Sequence, residues 1–229
     1  MKRGEIEKVF SKYKFGSGDL IYTNGKDKIN RRVKSFFNLS WCHIGIILEW
    51  ENEIYVLEAL RKEMEGLNDY ITGKPKIGVQ LHKLSDKLES YGGLIGVRFL
   101  HPKLSKKLEY KMFEFYKSNV DVVWGGSWFH LLYTAIGDNE RRKRKKEYYC
   151  SNFIAEVLQN VGLLDKNVKS WKFSLNFLID YNIYGYTDYG YDDRITVIKN
   201  YISSPRNIEH RFNGFSKSVK TLICSFIHK

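Results

Sequence analysis

The strongest constraint on the fold lies between Trp41 and Leu60. In Trp41-Cys42-His43-Ile44-Gly45-Ile46-Ile47-Leu48-Glu49-Trp50, alternation puts Cys42, Ile44, Ile46, Leu48 and Trp50 on one face of an extended strand. Trp41, His43, Gly45, Ile47 and Glu49 take the other face. The first face reads as core, so Cys42 is expected to point inward and His43 away from it. Only Glu51 and Asn52 precede a second strand, Ile54 to Leu60, a gap short enough for a hairpin. If the turn has two residues, Trp50 pairs with Glu53, Gly45 lies opposite Glu58, and His43 lies opposite Leu60. Glu58 then shares His43's face one diagonal step away, within reach of long side chains, and Gly45 leaves space beside the imidazole. A three-residue turn would reverse that parity. A carboxylate between Val56 and Leu60 is costly to bury unpaired. His43 would supply a partner; a lysine is the ordinary alternative.

A second informative stretch runs from Glu147 to Gly162. Phe153, Ile154, Val157, Leu158 and Val161 follow helical spacing and Gly162 is a natural C-terminal stop, which places Cys150 at or just before a helix N-terminus. Unpaired N–H groups and the positive end of the helix dipole favour a thiolate there and offer donors to an oxyanion. A cysteine in that position is more often a small buried apolar residue, so its chemistry depends on whether the chain also supplies a base.

The remaining chain reads as mixed α and β. Gly18-Asp19-Leu20-Ile21-Tyr22-Thr23 is a turn into a strand closed by Asn24-Gly25, and residues 28–37 suit a short basic helix. Residues 61–76 read as a loop or short helix, and Ile77 to Leu84 and Leu94 to Leu100 as strands. A helix is expected from Lys103 to about Ser118, with Leu104, Leu108, Met112, Phe115 and Tyr116 as its apolar stripe. Trp124-Gly125-Gly126-Ser127-Trp128-Phe129-His130 is an aromatic turn, either a pocket wall or packing beneath glycines. The 229 residues suffice for a large domain, and 43% hydrophobic content is ample for a core. Three cysteines with no Cys-x-x-Cys pair exclude a disulfide framework and argue against a structural metal. The first residues carry no apolar run behind their charges, and no stretch is long enough to span a bilayer, so a cytoplasmic protein is expected.

Thirty-eight Lys plus Arg against 26 Asp plus Glu leave a net charge of +12. An anionic partner is one reading, nucleic acid or a membrane surface; compositional bias toward Lys, Asn, Ile and Tyr is another. The basic run Arg141-Arg142-Lys143-Arg144-Lys145-Lys146 is the candidate anion-binding loop, with a solvated loop as the alternative.

A strand histidine, an acid on the next strand and a helix-start cysteine together meet the needs of nucleophilic acyl chemistry: a base for the thiol proton and a third group that fixes the imidazole. At these residues the chain resembles the circularly permuted branch of the NlpC-type papain-fold superfamily, the YiiX/YaeF-like proteins with their poxviral relatives, a group that also includes lecithin:retinol acyltransferase. The matching pieces are Gly18-Asp19-Leu20-Ile21, His43-Ile44-Gly45-Ile46, Val56-Leu57-Glu58-Ala59 and Tyr148-Tyr149-Cys150-Ser151. The resemblance covers roughly residues 16–180, and the order of the histidine and cysteine segments is the one the permutation requires. It implies an α+β, permuted papain-like (NlpC-type) fold whose antiparallel sheet packs against the helix carrying the cysteine. It further implies Cys150 as nucleophile, His43 as base and Glu58 as orienting acid, with Ser151 and Tyr149 giving backbone support to an oxyanion. No cofactor is needed. Members span amidase, peptidase and lipid acyl-transfer activities, so a small-molecule, peptide or lipid acyl substrate is expected. Residues 1–180 are expected to form the catalytic domain and 181–229 a C-terminal extension packed on it. The rival reading is a basic nucleic-acid- or membrane-binding protein on the same scaffold.

Overall fold

The alternation around His43 and the helical spacing after Cys150 build the two layers that meet at the candidate site. A computed structural model describes residues 1–25, 41–125, 147–180 and 188–200. In chain order its helices are α1 (Arg3–Lys12), α2 (Leu84–Ser90), α3 (Lys106–Lys117), α4 (Cys150–Val161) and α5 (Leu175–Asp180). The strands of the main sheet are β1 (Leu20–Asn24), β2 (His43–Trp50), β3 (Glu53–Leu60), β4 (Gly78–Lys83), β5 (Leu94–Arg98) and β10 (Thr196–Lys199). Two short pairs complete the set: β6 (Leu100–His101) with β9 (Gly190–Tyr191), and β7 (Val123–Trp124) with β8 (Glu147–Tyr148).

The six-stranded sheet has the order β10-β5-β1-β2-β3-β4, and each neighbouring pair is antiparallel. Its β2–β3 hairpin turns on Glu51 and Asn52, at φ 50° and 62°. Positive φ at both central residues matches the right-handed twist of the flanking strands. Trp50 therefore pairs with Glu53 and Ile46 with Leu57, which leaves Gly45 opposite Glu58. A Cβ at Gly45 would lie 3.2 Å from Glu58 Cβ and 3.1 Å from atoms of Ile21 and Val56, so the glycine makes room for the strand-to-strand neighbours rather than for open space.

Both faces of the sheet are covered. On one, Ile44, Ile46, Leu48, Leu57, Ala59 and Leu81 pack with Met112, Phe113 and Tyr116 of α3 and with Phe153, Ile154, Val157 and Leu158 of α4. On the other, Ile21, Ile47, Val56, Ile95 and Val97 pack with Ile6 and Val9 of α1 and with Leu84 and Leu88 of α2. The face that carries His43 and Glu58 is thus a second core, not a solvent face.

Several boundaries differ from the sequence expectation. The strand begins at His43, so strict alternation does not reach Trp41 or Cys42. Trp41 is buried in the same core as Ile44 and Ile46, while Cys42 is half-buried, its thiol donating to Thr23 O at 3.3 Å. Ile77 to Leu84 is shortened to β4 because α2 starts at Leu84, and Leu94 to Leu100 divides into β5 and β6. Residues 61–76 form turns pinned by buried Asp69, whose Oδ1 accepts from Leu81 N–H at 2.9 Å and Tyr116 O–H at 2.6 Å. After residue 180, β10 pairs with β5 and joins the main sheet. The basic helix expected at 28–37, most of the aromatic turn beyond Gly125, the Arg141–Lys146 run and the chain beyond 200 lie outside the described residues. Among the described residues no helix is long and apolar enough to cross a membrane.

Candidate active site

Cys150 is the first residue of α4, and the helix forms there because its apolar stripe has a core to pack on and its ends are closed. Tyr149 is extended, at φ −90° and ψ 161°, and its carbonyl accepts the first helical bond from Phe153 N–H at 3.0 Å. At the other end Gly162 adopts the left-handed conformation at φ 84°, while Leu163 N–H returns to Leu158 O at 2.8 Å. The amides of Cys150, Ser151 and Asn152 precede the first intrahelical bond, so helix geometry gives them no acceptor within α4. The Ser151 and Ile44 amides favour a negative charge on the Cys150 sulfur. The Tyr149 amide, expected to support an oxyanion, instead donates to Asn152 Oδ1 at 2.6 Å and belongs to the helix cap. Tyr149's ring meets Trp124 edge-on at 5.0 Å, because β7 runs beside the segment that leads into the cysteine helix.

His43 opens β2 at the end of the sheet, hydrogen-bonded to Glu58 and electrostatically paired with Cys150. Its Nε2 lies 2.7 Å from Glu58 Oε2, which leaves Nδ1 as the ring nitrogen for the thiol. The imidazole side chain keeps 17% exposure, whereas the Glu58 side chain has none. Burial works against a charged ring, but the Cys150 and Glu58 charges outweigh it and raise the His43 pKa to about 9. Burial likewise disfavours the Cys150 thiolate, and the neighbouring imidazolium with the two amides reverses this, so the thiol pKa is lowered. The arrangement favours a thiolate–imidazolium pair.

Glu58 has more partners than the sequence disclosed. Its Oε2 serves His43, while Oε1 meets His82 Nε2 at 2.7 Å and the Lys87 ammonium. His82, Lys87 and Glu58 are all buried to within one percent of full cover. Burial alone would raise the Glu58 pKa; Lys87, His43 and the hydrogen bonds from both histidines push it well below the ordinary 4.5. Both additions had a readable signal. His82 alternates with Val79 and Leu81 along β4, on the face of Val56 and Glu58, since Val56 pairs with His82. Lys87 falls on the helical stripe of Leu84 and Leu88, where a lysine needs a buried partner. Neither α2 nor the register of β4 was evident beforehand, so the two could not be aimed at Glu58.

Among the described residues no group of three or more His, Cys, Asp or Glu side chains is arranged to hold a metal ion. Where two histidines and a carboxylate converge, the Lys87 ammonium already serves as the cation on Oε1. Those residues do not fit a metal centre.

No family model matches the chain, and no curated protein does. A solved structure to which it is similar is that of the metalloprotein yiiX from Escherichia coli O157:H7, a DUF1105 protein. The two share 15% sequence identity over 69% of each chain, with a TM-score of 0.46.

Proposed function

We propose that the chain is a cysteine-nucleophile hydrolase or acyltransferase acting on an amide, ester or thioester, built on a permuted NlpC-type papain-like fold. The observation that supports this reading best is a single imidazole held between a helix-start thiol and a fully buried carboxylate. In the reaction, the Cys150 proton passes to His43 and the sulfur attacks the substrate's carbonyl carbon, forming the carbon–sulfur bond as the carbonyl π pair moves onto oxygen. The first-turn amides of α4 stabilise that oxyanion. The oxygen pair then returns, the bond to the leaving amine, alcohol or thiol breaks, and His43 gives the leaving group its proton. Water or another acceptor, deprotonated by His43, attacks the thioester and frees Cys150. Glu58 holds the ring so that one nitrogen faces the sulfur throughout. An anionic membrane surface or nucleic acid at Arg141–Lys146 is a separate proposal, drawn from sequence charge alone.

A screen of amide, ester and thioester substrates against the protein and its Cys150→Ala variant tests the assignment. Turnover with covalent acylation at Cys150, lost in the variant, is expected. Iodoacetamide should label Cys150 well below the usual thiol pKa and faster than Cys42 or Cys224. Turnover that survives Cys150→Ala in a folded protein would defeat it.

A further inference from the structure

The cluster behind His43 contains more than an orienting acid requires. Glu58 divides its oxygens: Oε2 belongs to His43, and Oε1 to His82 and Lys87. Lys87 reaches it from α2, on the sheet face opposite the cysteine helix, with no exposed route for the ammonium to find water. A lysine buried this way is costly unless it answers a charge, and among the described residues the carboxylate it meets is the one that holds the base. The titratable groups around Glu58 are His43 from β2, His82 from β4 and Lys87 from α2, with Cys150 beyond His43 and the Tyr91 ring 5.9 Å from the Lys87 ammonium. On the same face lie the apolar Ile21 of β1 and Val56 of β3, and farther along α2 the Met1 amino group and the Lys199 ammonium donate to its closing carbonyls, at Leu88 and Glu89 and at Leu88 and Tyr91.

We propose that Lys87 is a positioning residue for the thiolate: by neutralising Oε1 it fixes Glu58 as an anion turned toward His43, and so keeps the Cys150 thiolate and His43 imidazolium paired into the mildly acid range. This rests on the cysteine-nucleophile reading above. With both pairs charged the site is balanced, since the thiolate and Glu58 carry two negative charges and His43 and Lys87 two positive ones. Remove the Lys87 charge and two responses are open. Glu58 can take up a proton, which weakens its hold on the imidazolium, or it can remain charged and uncompensated near the thiolate. Both responses move thiolate formation to higher pH.

The test needs no substrate. Thiolate absorbance, taken as the difference between the protein and its Cys150→Ser variant, is followed with circular dichroism from about pH 4 to 9, a span that covers carboxylate, histidine and thiol titration. In Lys87→Met the midpoint for thiolate formation should rise by about one pH unit or more, a tenfold loss of thiolate on the acid limb. In a Glu58→Gln background the same change should add nothing, because Lys87 acts through that carboxylate. If Lys87→Met does not fold, Lys87→Gln, which keeps a donor without the charge, takes its place with the same expectation. A folded variant with an unchanged midpoint overturns the role of Lys87 and leaves the nucleophile assignment standing. A wild-type thiol that ionises only in the ordinary range, about pH 8.5, removes the nucleophile reading and this inference together.

Discussion

Asp19, just ahead of β1, and Glu58, on β3, are both carboxylates without exposed surface, and each touches a lysine. Their other partners separate them. Asp19 accepts backbone N–H groups from Gly16 at 3.0 Å and Leu100 at 2.8 Å, and its Lys103 keeps 31% of its side chain in water. Those bonds tie the entry to β1 to the start of β6. Burial is the largest influence on Asp19 and outweighs Lys103 and the amides, so its pKa is raised. The partners of Glu58 among the described residues are side chains that carry protons, and they overcome its burial. A carboxylate held by amides braces a loop; one held by two histidines and a lysine governs where protons sit. The comparison assigns Asp19 to the fold and Glu58 to the thiol.

The largest effect expected is that of Cys150→Ser. Acyl-enzyme formation should disappear while circular dichroism is unchanged, because the half-buried sulfur adds little to the core. The thiolate is also the chief charge holding the His43 pKa near 9 against burial, with Glu58 second. In the serine variant that midpoint should fall toward the ordinary 6.5, read from the histidine ring resonances. A His43 that still titrates near 9 would show that Glu58 alone sets its charge.

Glu58→Gln should come next, with a rate loss of about 10²- to 10⁴-fold, the scale found when an orienting carboxylate becomes an amide. The amide N–H can face the ring and favour the wrong tautomer, and Lys87 is left buried without its anion. Asp19→Asn should show the converse pattern. It exchanges an acceptor of two backbone amides for one that presents its own N–H groups, so stability should drop by about 1–3 kcal/mol in urea unfolding. Its Cys150 thiolate titration should match the parent. A shifted thiolate in Asp19→Asn, or an unaffected rate in Glu58→Gln, would erase the distinction between the two acids.

The sequence disclosed half of this comparison. The Trp50–Glu53 register was legible as the outcome of a two-residue turn, the one of two parities that the fold adopts, and α4 because its stripe ends at a glycine. Lys87 and His82 were not, since each depends on a long-range placement. α2 has seven residues and begins after Lys83 with no side-chain cap, so neither length nor a start signal marks it. Alternation carried past His43, where the strand begins, puts Trp41 on the wrong face. The paired faces also misled: His43's side of the sheet read as outward from the polar residues it carries, yet α1 and α2 cover it. Buried ionic clusters break the apolar pattern by which a covered face is recognised.

The smallest effect expected is on the pH dependence of stability, where the two acids should act with opposite sign. The Glu58 pKa is lowered in the fold, so its ionised form contributes stability that is complete above the usual carboxyl value of 4.5 and is lost as pH falls from there toward the folded value. The Asp19 pKa is raised above the usual 3.8, so the fold favours its neutral form; its ionised form carries a penalty that lifts as pH falls through the raised value. The stability gap between the parent and Glu58→Gln should therefore narrow on acidification, while the gap between the parent and Asp19→Asn should widen. Urea midpoints at neutral, mildly acid and acid pH read both gaps, and changes on the order of 1 kcal/mol are expected, about the worth of one pKa unit. His43 adds a signal at the other end. Its raised pKa contributes stability that is complete below 6.5 and is lost as pH rises through about 9, and Glu58→Gln should diminish that alkaline loss while Asp19→Asn leaves it intact. If both acid-range gaps move the same way, the lysines dominate both sites alike, and the contrast between an amide-held and a proton-carrying carboxylate fails.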